Sequence, residues 1–177
     1  MNKALLFTII GALVLFGPNL FGQSENIYSI MRPELITFLN DPRRPRGIRN
    51  NNPGNIRRSS SSWQGRVPWS ESKDKNFEQF EQYFWGVRAL IVLLKNYITI
   101  HKTKNIEQLI ARWAPPSEND TESYIQSVVA LTGIKRNATL SSDKETLRKL
   151  CYAIADHENG VKDPIPDPIF DYAWTKL

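Results

Sequence analysis

The residue with the clearest potential for chemistry is Glu158, a carboxylate in line with an apolar helical stripe. The stripe consists of Leu147, Cys151 and Ile154, and Glu158 continues it. Successive members are four, three and four residues apart. On a helix all of them share one face. We expect partial desolvation to raise the pKa of this carboxyl, which could then protonate a glycosidic oxygen near neutral pH. Asn159 and Gly160 predict the helix end, so the carboxylate should lie at the rim of a cleft. The alternative is a solvated glutamate at a frayed helix end.

The segment RGIRNNNPGNIRR, residues 46–58, predicts a tight turn that tolerates left-handed backbone conformations. Asn51, Asn52 and Asn55 in this segment carry amides that both donate and accept hydrogen bonds. Such groups suit the hydroxyl and N-acetyl groups of amino sugars, which makes the three side chains candidates for sugar binding. A purely structural asparagine-rich turn is the alternative.

A second group of candidates lies in the run WAPPSENDTESY. Trp113 and Tyr124 offer aromatic faces that can stack on sugars. Glu118 and Asp120 offer carboxylates that could hold a water, or stabilise an oxocarbenium-like centre, across a cleft from the acid. Helix capping is the alternative for both acids, and Asp120 fits it well.

Other chemistries fit the sequence poorly. Cys151 and His157 are six residues apart and point about 240° apart on a helix, so they cannot form a nucleophile and base pair there. One cysteine and two histidines are too few for most zinc sites and exclude an intramolecular disulfide. We therefore expect neither a metal nor another cofactor.

Four stretches with apolar residues at three-to-four spacing must position these side chains, and they predict a mainly α fold. The stretches are Tyr83 to Ile100, Asn105 to Trp113, a helix opened by Asn119 and Asp120 and ended by Gly133, and a helix opened by a capping box at Ser142–Glu145 and running to His157. Residues 57–75 contain a serine run, a glycine and a proline, and they predict loop or short irregular strands without helix.

Composition limits the class of partner. The balance of 23 Lys and Arg against 18 Asp and Glu, a formal charge of +5, favours a polyanion such as nucleic acid, anionic lipid or wall polymer. Six arginines lie within residues 43–58, at Arg43, Arg44, Arg46, Arg49, Arg57 and Arg58. No helix-turn-helix or aromatic RNA-reading signature accompanies them, so we expect a basic face toward solvent, lipid or wall polymer rather than nucleic acid.

The chain divides into three regions by sequence. Residues 1–22 contain an apolar run from Ala4 to Phe21, broken only near its end, which indicates either a cleaved signal peptide or a membrane anchor. Residues 23–45 predict a connector with a short helix and several prolines. The remaining residues, 46–177, have the size of one domain with one core.

Four motifs in this order resemble a family of small phage and prophage proteins described as virion-associated structural or lytic proteins with a lysozyme-like fold. The motifs are RGIRNNNPGNIR at 46–57, YFWGVRALIVLL at 83–94, RWAPPSENDTESYI at 112–125 and HENG at 157–160. The resemblance implies a lysozyme-like helical domain over residues 46–177 that follows an N-terminal apolar helix and opens peptidoglycan during phage entry or exit.

The same blocks are similar to wall glucosaminidases of the lysozyme superfamily, with the order of the catalytic helix and the asparagine loop reversed. The resemblance therefore implies a circular permutation. It implies Glu158 as the general acid, Asn51, Asn52 and Asn55 along the sugar cleft, and Tyr124 as a tyrosine after the central helices. With Trp113, Glu118 and Asn159, these four residues complete the predicted substrate-binding set.

Several functions stay open on this basis. A single glutamate favours a lytic transglycosylase over a hydrolase, because the sugar's own hydroxyl then completes the reaction. The alternatives are a non-catalytic virion or wall-binding protein and a wall endopeptidase on the same fold. We expect peptidoglycan as partner, a membrane contacted through residues 4–21, other virion proteins beside it, and a location in the virion membrane or the bacterial periplasm.

Overall fold

Helix α2, Tyr83–Thr99, lies at the centre of the structure, a computed structural model that describes residues 32–177. Its inward side chains, among them Val87, Leu90 and Leu94, are fully buried. The three-to-four-residue spacing of these apolar side chains is typical of a helix that is covered on several sides. The elements are a 3-10 helix at Pro33–Leu35 and the helices α1 Arg46–Arg49, α2 Tyr83–Thr99, α3 Ile106–Trp113, α4 Thr121–Thr132, α5 Lys144–Asn159 and α6 Asp167–Trp174.

The helices pack in a chain of neighbours around α2. Helices α3, α5 and α6 all contact α2, α4 lies between α3 and α5, and α1 rests on α5. In the described part of the chain, β structure is limited to two isolated bridges, Arg57 with Phe77 and Arg66 with Phe80. The predicted mainly α class is confirmed, and residues 57–75 contain no helix, as predicted.

Short polar side chains cap the N-termini of three helices. Asn105, Asp120 and Asp143 each accept a hydrogen bond from the backbone N–H three residues on, and so cap α3, α4 and α5. Gly133 and Gly160 end α4 and α5 with φ near +68° and +61°. The predicted capping box is wrong in detail, because Asp143 and not Ser142 caps α5.

Two helices were not predicted. Helix α6 begins beside Pro168 and buries Ile169, Phe170 and Ala173 completely against the body. A proline in the first turn followed by apolar residues at helical spacing is the signal that would have found it. Helix α1 is a single turn inside the segment read as a tight turn, with Gly47 and Ile48 buried.

The compact unit extends from Pro33 to Leu177, and so includes residues that the sequence places in a connector. Ile36 is buried, its carbonyl accepts the Tyr83 N–H at 2.9 Å, and the Asn40 N–H donates to Arg49 O at 2.7 Å. Between residues 32 and 45, the only helical turn is the 3-10 helix.

The predicted signal peptide or anchor at residues 1–22, with its apolar helix, lies outside the described residues. Within residues 32–177, every helix is too short or too polar to cross a bilayer.

Candidate active site

Glu158 lies in the last turn of α5, and its carboxylate accepts hydrogen bonds from three side chains. Oε1 accepts from Tyr124 Oη at 2.9 Å and from Trp113 Nε1 at 3.1 Å. Oε2 accepts from Asn55 Nδ2 at 3.0 Å, and the same amide reaches the Glu158 carbonyl at 3.2 Å. The residue is half-buried. All three donors are neutral, and within residues 32–177 the carboxylate has no ion-pair partner.

The three donors come from separate segments. Trp113 is the last residue of α3, which ends before Pro115 and Pro116. Tyr124 lies one turn into α4, whose first residue is set by the Asp120 cap. Asn55 stands in the loop after α1 with φ of +47°, a conformation that asparagine tolerates. The positions of Trp113 and Tyr124 at the site therefore depend on where α3 ends and where α4 begins.

Tyr124 is a reliable donor in this site. Its burial, followed by the nearby Glu158 charge and the hydrogen bond to that carboxylate, raises its pKa well above 10. The phenol consequently keeps its proton at every physiological pH. His157 stacks on the Tyr124 ring with 3.6 Å between ring centroids. Burial lowers the pKa of this histidine below 6.5, against a smaller raising effect from Glu158, so the imidazole is mostly neutral at pH 7.

An open, polar cleft of about 270 Å³ lies beside the carboxylate. Its lining residues are Asn119, Asp120, Ser123, Tyr124, His157 and Glu158. Neither His157 nor Ser123 was predicted to line this cleft. The position of His157 directly before Glu158, and of Ser123 directly before Tyr124, was the signal available.

Asn159 joins α5 to the asparagine loop. Its Nδ2 donates to the Pro53 carbonyl and to the Ala155 carbonyl, both at 2.8 Å. Gly47 stands against this contact, since a Cβ at that position would lie 2.4 Å from Asn159 Oδ1 and 2.9 Å from Asn55 Oδ1. Asn159, predicted to bind substrate, thus holds the loop that carries Asn55 to Glu158.

Asn51 and Asn52 do not face the cleft, which corrects their predicted sugar-binding role. Both are fully buried. Asn51 Nδ2 donates to Phe80 O at 2.8 Å, and Asn52 Nδ2 donates to Ile56 O and Glu78 O at 3.0 Å. Both side-chain amides donate to backbone carbonyls, which is the role expected in a purely structural asparagine-rich turn.

The two acids predicted opposite Glu158 have different positions. Glu118 is exposed and pairs with Arg57 at 3.1 Å, and it is not part of the cleft lining. Asp120 does line the cleft, but its Oδ1 accepts the Ser123 N–H at 3.0 Å as the cap of α4. The capping alternative is confirmed for Asp120.

Cys151 is fully buried in α5, and burial raises the pKa of its thiol. His157 lies six residues further on, near the C-terminal end of the same helix, with its ring stacked on Tyr124. The two do not form a nucleophilic pair, in agreement with the sequence analysis. Residues 32–177 contain no group of three or more His, Cys, Asp or Glu side chains arranged to hold a metal ion.

The chain is similar to protein P5 of Pseudoalteromonas phage PM2. The two are 42% identical over 118 residues, which cover 65% of this chain and 71% of the phage protein. No protein-family model matches the sequence.

Proposed function

The chain belongs to the family of protein P5 of Pseudoalteromonas phage PM2, and we propose that it cleaves the glycan strands of bacterial peptidoglycan. The observation that carries the proposal is the Glu158 carboxylate, held by Asn55, Trp113 and Tyr124 at the edge of an open polar cleft. Enzymes that cleave glycosides usually place a carboxylic acid beside the scissile bond to protonate the leaving oxygen.

Glu158 acts as the general acid through Oε2. Its Oε1 already accepts two hydrogen bonds, whereas Oε2 accepts one from a side chain. An ionised carboxylate has about four acceptor positions, so Oε2 keeps one for the proton that is delivered to the leaving oxygen. The fixed donors orient the carboxyl before substrate binds, which lowers the cost of reaching the reactive geometry.

The reaction ends without a second protein carboxylate. Asp120 is the other acid of the cleft lining, and its Oδ1 is committed to the α4 N-terminus. The positive charge on the sugar is then quenched by the substrate's own hydroxyl, whose proton passes to the Glu158 carboxylate and restores the acid; this is the lytic transglycosylase outcome. Hydrolysis, with a cleft water as nucleophile, uses the same acid.

The proposal includes a lysozyme-like domain in circularly permuted order, virion association, and a location at the virion membrane or in the periplasm through residues 4–21. What supports it is the packing of the α5 carboxyl end on the asparagine loop through Asn159, with the loop first in sequence and the helix later. The phage relative supports the virion assignment.

The test is digestion of purified sacculi by the full chain, with mass spectrometry of the soluble products. We expect muropeptides with anhydro ends, and none from a Glu158→Gln variant. Glu145→Gln is the matched control, because Glu145 is exposed in the first turn of the same helix. It should digest like the wild type.

Other outcomes overturn the proposal. Equal digestion by the wild type and Glu158→Gln would remove Glu158 from the mechanism. Products cut only at peptide bonds would identify an endopeptidase. Sacculi that are bound but never cut by the wild type would identify a non-catalytic wall-binding protein.

A further inference from the structure

A second pocket, of about 280 Å³ and lined mainly by polar residues, shares no lining residue with the Glu158 cleft. We call it the arginine pocket. The residues that matter in its lining are Asn40, Arg49, Asn50, Lys73, Asp74 and Gln79. It lies where the loop before α1, the end of α1 and the segment before α2 meet.

The amide groups of the arginine pocket are already used by one another. Gln79 Nε2 donates to Asn50 Oδ1 at 2.8 Å and to Asn40 Oδ1 at 3.2 Å. Gln79 Oε1 accepts from the Lys73 N–H at 2.9 Å. The neutral part of the wall is therefore a preformed frame that keeps its shape without a ligand.

The one acid in the lining is compensated. Arg46 donates to both oxygens of Asp74, at 2.7 and 2.8 Å, and Asn50 Nδ2 donates to Oδ2 at 2.7 Å. Although burial opposes it, the Arg46 and Asn50 hydrogen bonds with two backbone N–H groups hold the Asp74 pKa well below its usual range. Asp74 is therefore charged, and Arg46 balances that charge.

Two cations of the pocket remain free. Throughout residues 32–177, every other arginine has an ion-pair, hydrogen-bond or ring partner, whereas the half-buried Arg49 guanidinium has none. The Lys73 ammonium is also without a partner in this part of the chain. A rigid polar frame with two unpaired cations and a balanced acid is complementary to an anion.

We propose that the arginine pocket binds the carboxylates of peptidoglycan peptide stems, with Arg49 as the principal ligand and Lys73 beside it. This inference rests on the proposed function. In peptidoglycan the lactyl group of the sugar is joined to the stem peptide as an amide, so the carboxylates of the polymer belong to the stem. A guanidinium presents a planar fork that pairs with a carboxylate through two hydrogen bonds. The pocket holds the stem while the glycan strand occupies the cleft.

The direct test is binding of the free tripeptide L-alanyl-γ-D-glutamyl-meso-diaminopimelate to the full chain, measured by calorimetry. We expect binding by the wild type, and a dissociation constant raised about 10-fold or more in Arg49→Gln, the loss expected for a charge-assisted hydrogen bond. Arg43→Gln is the matched control for net charge, since Arg43 is exposed and paired with Asp41. It should bind like the wild type.

Two further probes decide the chemistry. The tripeptide with its carboxylates amidated should not bind. Equal binding of the tripeptide by the wild type and Arg49→Gln, or no binding by the wild type, would overturn the inference. Arg49-dependent binding of inorganic phosphate without binding of the tripeptide would also overturn it, in favour of a phosphate ligand.

Activity gives a separate readout. The ratio of kcat/KM on peptide-bearing to peptide-free glycan should fall about 10-fold in Arg49→Gln, in proportion to the lost stem affinity. If the wild type binds the tripeptide through Arg49 but cuts no sacculus, the proposed function fails and the pocket assignment stands. If sacculi are cut and the tripeptide does not bind, the reverse holds.

Discussion

Glu158 and Glu78 accept the same kind of hydrogen bond and have opposite surroundings. Each carboxylate takes an indole N–H at 3.1 Å, from Trp113 and from Trp69 respectively. Glu78 is fully buried, with Arg66 at 4.0 Å and the Ser59 N–H at 3.3 Å. Glu158 is half-buried, has only neutral side-chain donors and lines a cleft.

The comparison shows that a hydrogen bond from a tryptophan to a carboxylate does not by itself indicate a functional site. Glu78 holds the irregular segment before α2 together through Trp69, Ser59 and Arg66, and its complete burial keeps substrate away from it. One side of Glu158 faces the open cleft, so a ligand can reach its carboxylate. Two features therefore distinguish Glu158 from Glu78. Glu158 is accessible from the cleft, and its described contacts include no cationic partner.

The largest expected effect is on catalysis at Glu158. Replacing Glu158 by glutamine keeps the side-chain shape and removes the transferable proton, so digestion of sacculi should fall by about 100-fold or more. The melting temperature should change little. Glu78→Gln should instead keep its activity per folded molecule, and a loss as large as that of Glu158→Gln would contradict the contrast between the two acids.

The second expected effect is on stability at Glu78. Glu78→Ala leaves the Trp69 and Ser59 N–H groups without their acceptor and the Arg66 charge without its partner. The free energy of unfolding in urea should fall by about 2–4 kcal/mol. A variant with wild-type stability would show that Glu78 fastens nothing.

Single substitutions of Tyr124 and Trp69 should show that one aromatic donor supports catalysis and the other supports stability. Tyr124→Phe removes one of the two hydrogen bonds to Glu158 Oε1, and kcat/KM should fall about 10-fold with kcat carrying most of the loss. Trp69→Phe should cost about 1 kcal/mol of unfolding free energy and leave kcat unchanged. If both variants lost only stability, Tyr124 would be a structural residue.

The smallest expected effect concerns pH. Because burial lowers the pKa of His157 in the folded chain, the unfolded chain takes up this proton first as the pH falls. His157 therefore subtracts stability below about pH 6.5, and the loss grows until the folded group titrates too. In urea unfolding between pH 7 and pH 5, His157→Gln should show a shallower fall than the wild type, and an identical slope would refute this linkage.

Most of the helical pattern was predictable. The helices α2, α3, α4 and α5 lie where apolar spacing placed them, because side chains that face one core must recur at helical intervals. Their ends follow local chemistry, as at Gly133 and Gly160. Helix α6 was missed because its apolar pattern is only two turns long and follows a proline-rich stretch.

The candidate site was predictable in part. The position of Glu158 on α5 followed from spacing, and the structure brings Trp113, Tyr124 and Asn55 to it. The roles of the asparagines did not follow, because identical amides at neighbouring positions differ only in which way the backbone turns them. Asn51 and Asn52 face the interior, whereas Asn55 faces the carboxylate.

By itself, the sequence determined the helical class, the helix ends and the presence of a glutamate on an apolar face, since all of these depend on residues close together along the chain. Only the tertiary structure decided which side chains meet. Asn55 and Glu158 are 103 residues apart, as the hydrogen bond between them records. The contacts of Glu158 arise because α3, α4 and the loop after α1 all pack beside the end of α5.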